Sequence, residues 1–150
     1  MGVKLAASMG AEVTVFSTSP NKEADAKKLG AKHFVISKDE NAMKAITGTL
    51  DFIVDTVSTN HDVMSLVNAL TDRGVLVLVG TSSYQVFFWF EGVPTSPIPV
   101  HAIPLLMGEK VVTGSKIGSI KMTQEMIDYC AEHDIVPEVE VISADKIDEA

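Results

Sequence analysis

The sequence predicts an α/β protein built around a doubly wound parallel sheet, and two patterns carry this prediction. Short apolar segments rich in β-branched residues alternate along the chain with segments of helical period, which is typical of right-handed βαβ units. The segment 75–79 also contains five apolar residues in a row. A strand loses the alternation of apolar and polar residues when helices cover both of its faces.

The first half of the chain supplies a regular series of elements. Gly10, Gly30 and Gly48 each follow a helical segment, where a left-handed residue commonly ends a helix. Pro20 stands where a helix favours its first residue. The predicted elements are, in order, the end of a helix at 5–9, a strand at 13–16, a helix at 21–29, a strand at 34–36, a helix at 41–46 and a strand at 52–54.

The second half continues the alternation. A helix is predicted at 61–70, because its apolar residues Val63, Leu66, Val67 and Leu70 recur at helical spacing. The apolar run 75–79 is predicted as a strand between Gly74 and Gly80. The remaining predicted elements are a strand at 111–112, a helix at 122–132 with an apolar stripe of Met122, Met126, Ile127 and Cys130, and a strand at 139–142.

The composition is that of one globular domain and excludes several classes of partner. The chain has 150 residues with a formal charge of −8, and an acidic excess argues against nucleic acid or an anionic membrane as partner. No apolar run reaches the roughly 18–20 residues needed to span a bilayer. Cys130 is the single cysteine, which excludes an intrachain disulfide and a Cys-rich zinc site. The N-terminus lacks a long secretory apolar region, so we expect a cytoplasmic protein.

The first candidate site follows the strand at 13–16. Ser17, Thr18 and Ser19 offer three hydroxyl groups, and Lys22 follows one helical turn later. In a doubly wound dinucleotide fold this strand end meets the adenosine ribose, and hydroxyl donors, a helix N-terminus and a cation suit a 2′-phosphate. The alternative is that Ser19 caps the helix while Lys22 is solvated. Both roles can coexist.

The second candidate site is a set of turns that follow three strands. Ligands of open α/β sheets bind at the carboxyl ends of the strands. Glycine and serine also mark ordinary turns in any protein, so that alternative stays open. The turns are 55–58, 80–81 and 114–118.

Metal and nucleophile sites are not predicted. His33, His61, His101 and His133 have no metal-ligand spacing. Cys130 and His133 lie three residues apart on a predicted helix, but no second pair accompanies them. Because Cys130 belongs to the apolar stripe, we favour core packing. We assign no catalytic residue and no metal ligand.

One segment breaks the α/β pattern. Five of the nine aromatic residues lie between Tyr84 and Phe90, inside the segment 81–92. The segment is interpreted as an insertion peculiar to this chain, since joining Gly80 to Val93 would restore a short turn. A hydrophobic lid, a partner surface and an extra strand are the alternatives.

The chain resembles the nucleotide-binding half of zinc-dependent medium-chain alcohol dehydrogenases, in the cinnamyl-alcohol-dehydrogenase-like branch. The resemblance covers nearly the whole chain except about 81–92, and its motifs are specific only together. The matching segments are 1–6, 15–19, 29–31, 50–57, 104–108, 112–119 and 123–126.

This resemblance implies a Rossmann-like fold and NADP as the cofactor. It implies hydride transfer between NADPH and an aldehyde or alcohol, on a zinc ion that polarises the substrate oxygen. Ser17, Thr18, Ser19 and Lys22 match the residues that bind NADP. The nicotinamide end is expected near the residues that match Thr56, Val57, Ser58, Val79, Gly80, Ser115, Ile117 and Gly118.

The chain also departs from the family pattern. The Gly-rich phosphate turn, the first strand and the zinc-binding catalytic domain have no counterpart in the sequence, and the missing strand would leave a gap between the family's second and fourth strands. We therefore predict that residues 1–150 form a truncated NADP-binding domain, related to an oxidoreductase but without turnover by itself. A non-catalytic interaction module that docks on a full-length relative or forms a homo-oligomer, and a nucleotide-binding pseudoenzyme, are the alternatives.

Overall fold

The computed structural model describes residues 1–59, 61–80, 99–115 and 117–149. The described helices are Gly2–Ser8 (α1), Glu23–Lys28 (α2), Glu40–Ala45 (α3), Val63–Ala69 (α4), Ala102–Gly108 (α5) and Ile120–Glu132 (α6), with 3-10 helices at Pro20–Lys22 and Ala144–Glu149. The described strands are Thr14–Ser17 (β1), His33–Ile36 (β2), Leu50–Asp55 (β3), Leu70–Leu78 (β4) and Val111–Gly114 (β5). The aromatic segment 81–92 lies outside the described residues.

The described strands form two sheets, and together with the alternating helices they confirm the predicted Rossmann-like α/β class. β1 pairs with β2, while β3, β4 and β5 form a parallel sheet in that order. The chain divides into two compact units. The first comprises Met1–Val15, Pro20–Phe34 and Gly118–Ala150, and the second comprises Phe16–Ser19 and Val35–Ile117.

The core of the second unit lies between α4 and one face of the three-stranded sheet. Val67, Leu70 and Leu76 are completely buried, and Ile53 and Leu66 pack against them. The predicted apolar face of α4 is therefore confirmed. Asp62 begins this helix, because its side chain accepts a hydrogen bond from the Ser65 N–H.

The first unit is built from α1, α2 and α6, and two of the predicted helix ends are confirmed in it. Gly10 and Gly30 have φ angles of +87° and +109°, the left-handed conformation that ends α1 and α2. Buried residues of this unit are Ala26, Ala31, Cys130 and Ile135. Of the apolar stripe predicted on α6, only Cys130 is buried.

Two predicted elements differ from the structure. The predicted strand began at residue 75, but β4 begins at Leu70, directly after α4, because Leu70 pairs with Leu50 of β3. The register then shifts, so that the next pair is Phe52 with Val75. The extra residues in β4 include Arg73 at a φ of +62°. The predicted strand at 139–142 is wrong, since these described residues are not in a strand and Val141 is 95% exposed. β-branched residues form a strand only where a neighbouring strand can pair with them.

No helix among the described residues is long and apolar enough to cross a membrane.

Candidate functional site at the carboxyl edge of the parallel sheet

Three parallel strands end in register at one edge of the sheet. Asp55, the last residue of β3, lies opposite Leu78 of β4, and Leu78 lies opposite Gly114 of β5. The turns after these strands consequently leave the sheet side by side, which is the place where open α/β sheets bind ligands. The predicted cofactor residues Thr56, Val57, Ser58, Val79, Gly80 and Ser115 directly follow these strands and lie in the second unit. Ile117 belongs to the same unit and is 94% exposed, and its cofactor role stays a prediction.

The turns after β3 and β4 lie against each other through their backbones. The Val79 and Gly80 N–H groups both donate to the Asp55 carbonyl oxygen, at 2.9 and 3.1 Å. A Cβ atom on Gly80 would lie 2.6 Å from the Thr56 carbonyl carbon and would also clash with the Val57 carbonyl oxygen. Only glycine therefore fits at position 80 without moving the neighbouring turn.

The side chains of this edge are mostly accessible. Thr56, Val57, Ser58, Val79 and Ser115 are exposed, and Gly80 is half-buried. The backbone of the third turn is anchored, because the Ser115 N–H donates to the Leu78 carbonyl oxygen at 3.1 Å. The edge thus combines turns held by backbone hydrogen bonds with exposed side chains at the carboxyl ends of the strands.

Asp55 and His61 form a partly buried pair beside these turns. His61 Nε2 lies 2.7 Å from Asp55 Oδ2, while Asp55 Oδ1 accepts from the Val57 N–H at 2.9 Å. Partial burial opposes protonation of His61, but hydrogen bonds to the Thr59 carbonyl and to Asp55, with the charges of Asp55 and Asp62, raise its pKa above the ordinary value of 6.5. From the sequence, His61 was noted only as a histidine without metal-ligand spacing. A carboxylate that ends an apolar strand, followed six residues later by histidine, is the signal that would have found the pair.

The serine cluster after β1 forms a local turn. Ser17 Oγ accepts a hydrogen bond from the Ser19 N–H at 3.1 Å, and the Ser17 carbonyl accepts one from the Ser37 N–H at 3.0 Å. The capping alternative for Ser19 is wrong, because α2 begins after Lys22 without a side-chain cap. A hydroxyl that accepts one bond can still donate another, so the Ser17 hydroxyl remains a potential donor to a ligand. Thr18 is exposed.

Lys22 and Gly118 belong to the first unit. Lys22 ends the 3-10 helix Pro20–Lys22 and is exposed. Gly118 precedes Ser119, the N-cap of α6, whose side chain accepts from the Met122 N–H. The cofactor roles of both residues stay predictions.

The described residues do not supply a metal site. No group of three or more His, Cys, Asp or Glu side chains in the described part of the chain is placed to hold a metal ion. Cys130 is buried with its thiol 3.7 Å from Met126 Sδ, which confirms core packing. The neighbouring His133 binds the Tyr129 carbonyl oxygen through Nδ1 and stacks on the Tyr129 ring.

These features define a class of protein. A parallel α/β sheet whose strands end in register, with helices between the strands and exposed turns at the carboxyl edge, is the architecture of nucleotide-binding domains. The family model described as "Zinc-binding dehydrogenase" matches residues 1–132. The chain belongs to the zinc-binding dehydrogenase family.

Similar proteins and structures agree with this family. The chain is 45% identical over its whole length to a probable mannitol dehydrogenase from Fragaria ananassa. A cinnamyl alcohol dehydrogenase from Sorghum bicolor is 36% identical and superposes with a TM-score of 0.85 over 99% of the chain. CAD from Helicobacter pylori complexed with NADP(H) is 38% identical, with a TM-score of 0.78 over the whole chain. The chain spans 39% of the length of each of these three proteins.

Proposed function

We propose that this chain is the cofactor-binding part of an NADP-dependent alcohol dehydrogenase. The observation that supports the proposal is the register of β3, β4 and β5, which brings the turns after these three strands to one sheet edge. The similarity to an enzyme complexed with NADP(H) supports the choice of cofactor. Residues 1–150 would then form an NADP-binding domain, and we assign none of the described residues to the substrate.

The residues of this chain would bind and orient the cofactor. The hydroxyl groups of Ser17, Thr18 and Ser19 would donate to the 2′-phosphate, and Lys22, three residues further along the chain, would add a positive charge. The turns after β3, β4 and β5 would line the nicotinamide end with backbone groups and keep water away from one face of the ring. When bound, NADPH supplies the hydride for reduction of an aldehyde.

A zinc-dependent step is not assigned to this chain. The family implies a catalytic zinc ion, but the described residues contain no fitting group of ligands. We therefore expect the chain by itself to bind NADPH and to show no alcohol oxidation. Turnover of an alcohol by the purified chain with NADP would contradict this expectation.

Cofactor selectivity tests the proposal directly. NADPH and NADH are titrated into the chain, with the change in nicotinamide fluorescence as the readout. The proposal predicts tighter binding of NADPH. Lys22→Gln removes one exposed charge, so NADPH affinity should fall about fivefold, equivalent to about 1 kcal/mol for an exposed ion pair, while NADH affinity stays unchanged.

Lys44→Gln is the matched control for this experiment. Lys44 is an exposed lysine on α3 that pairs with Glu40 of the same helix. Its replacement removes the same charge without touching the predicted phosphate site. Equal binding of NADPH and NADH, or equal losses in the two lysine variants, would contradict the proposed 2′-phosphate site.

A second candidate function is a non-catalytic interaction module. One face of the three-stranded sheet carries exposed apolar side chains, with Phe52 60%, Val54 53% and Val111 46% exposed. These residues share one face because they occupy alternate positions and paired registers. Light scattering after size-exclusion chromatography separates the two candidates. A defined oligomer that is disrupted by Phe52→Ser and binds no NADPH would favour the interaction module.

A further inference from the structure

The hydrogen bonds of His61 indicate its protonation state. Nε2 lies 2.7 Å from the Asp55 carboxylate oxygen Oδ2, and Nδ1 lies 2.7 Å from the Thr59 carbonyl oxygen. Both partners are acceptors, so both ring nitrogens must donate for both bonds to form. A neutral imidazole carries only one N–H, whereas the imidazolium carries two. The observed geometry is therefore that of a protonated His61.

Asp55 connects this histidine to two turns of the proposed cofactor edge. Its side chain is 3% exposed, and its second carboxylate oxygen accepts from the Val57 N–H. Its backbone carbonyl oxygen accepts from the N–H groups of Val79 and Gly80. A buried carboxylate needs hydrogen bonds and a nearby positive charge, and His61 supplies both.

We propose that protonated His61 is a positioning residue, which locks Asp55 and thereby the turn that carries Thr56, Val57 and Ser58 in its cofactor-binding shape. The cofactor part of this inference rests on the proposed function. When His61 loses its proton, one of its two hydrogen bonds disappears and the Asp55 carboxylate loses its counter-charge. The turn then holds the cofactor less firmly.

The charges around His61 favour the protonated form. In the described part of the chain, the charged groups that act on His61 are Asp55 at the end of β3 and Asp62 at the start of α4. Both are acidic, and together with the Thr59 carbonyl they outweigh the effect of partial burial. The turn should accordingly stay locked below the pKa of His61 and loosen as the pH rises through that pKa.

Nuclear magnetic resonance of the imidazole nitrogens tests the lock without any cofactor. At pH 6.5 we expect both ring nitrogens of His61 to be protonated in most molecules, with a pKa above 6.5. Asp55→Asn removes the carboxylate charge and should lower that pKa. A His61 that titrates at or below 6.5 in the unsubstituted chain would overturn the proposal, and this measurement does not depend on the folding of any variant.

The pH dependence of NADPH affinity tests the positioning role. The affinity of the unsubstituted chain should fall as the pH rises through the pKa of His61, and His61→Gln should bind about tenfold more weakly at pH 6.5 without this step. His33→Gln is the matched control, since His33 pairs with Glu12 at the surface, 2.8 Å away, in the other unit. The 2′-phosphate of NADPH also changes its charge with pH, and this effect is present in the His33→Gln control as well. A difference between the control and His61→Gln therefore reports on His61.

The outcomes separate the two proposals. Equal pH profiles for the unsubstituted chain and His61→Gln would overturn the positioning role, even if both bind NADPH. No binding of NADPH by the unsubstituted chain would contradict the proposed function and the cofactor part of this inference, while the nitrogen resonances still decide whether the lock exists. A loss of thermal stability in His61→Gln with an unchanged pH profile would indicate a merely structural role and would also overturn the proposal.

Discussion

Replacement of Gly80 by alanine tests the close approach of two turns at the sheet edge. The added Cβ would lie 2.6 Å from the Thr56 carbonyl carbon and would clash with the Val57 carbonyl oxygen. These are backbone atoms held by the hydrogen bonds of Asp55, so they cannot move aside as a flexible side chain would. Overpacking of this kind costs about 1–3 kcal/mol. For a chain of this size, that cost lowers the melting temperature by roughly 2–12 °C.

Gly114→Ala is the matched control, because Gly114 ends the neighbouring strand at the same edge. Its added Cβ would meet only the Leu78 carbonyl oxygen at 3.7 Å, an ordinary contact. Its φ is also outside the left-handed region, so alanine should leave stability unchanged or raise it by about 0.4–1 kcal/mol. Thermal unfolding followed by circular dichroism compares the two variants. Equal melting temperatures for Gly80→Ala and Gly114→Ala would refute the reasoning.

Three further predictions concern the core, a helix cap and pH. Leu76→Ala empties a completely buried position and should reduce the free energy of unfolding by about 2–5 kcal/mol in urea, whereas a loss below that of exposed Val111→Ala would contradict the assigned core. Asp39→Ala removes the acceptor for two N–H groups at the start of α3 and should lower the free energy of unfolding by about 0.5–2 kcal/mol. Asp39→Asn keeps an acceptor oxygen and should retain most of the stability. Because folding raises the pKa of His61, its protonation contributes stability that is complete below the unfolded pKa of about 6.5 and is lost as pH rises through the folded pKa. Urea midpoints across this range should show that step, and His61→Gln should not.

The sequence was sufficient where a local pattern corresponds to a local structure. The buried face of α4 followed from the spacing of its apolar residues, and the ends of α1 and α2 followed from Gly10 and Gly30. Cys130 was correctly assigned to the core. The predicted elements were wrong where pairing with a distant segment decides whether residues form a strand. The beginning of β4 depends on the partner of Leu70 in β3, and residues 139–142 lack a paired strand despite their β-branched composition.

The sequence likewise predicted one part of the candidate site, and the tertiary structure supplied the other part. The turns after β3, β4 and β5 were recognised from their residues and from a family resemblance, but the sequence alone left ordinary turn chemistry as an alternative. The tertiary structure brings those turns to one edge, because the strands are parallel and in register. It also showed that Ser19 does not cap α2 and that the Ser17 hydroxyl accepts a hydrogen bond from the Ser19 N–H.

The sequence by itself determined the α/β class and the family, while the residues expected to meet the cofactor stay a prediction. These properties depend on the order of residue types along the chain, which local spacing and recurring motifs express directly. The tertiary structure alone decided the close backbone approach at Gly80 and the pairing of Asp55 with His61. Such contacts depend on distances of a few ångströms between segments, because hydrogen bonds and steric clashes are short-ranged, and no local pattern encodes those distances.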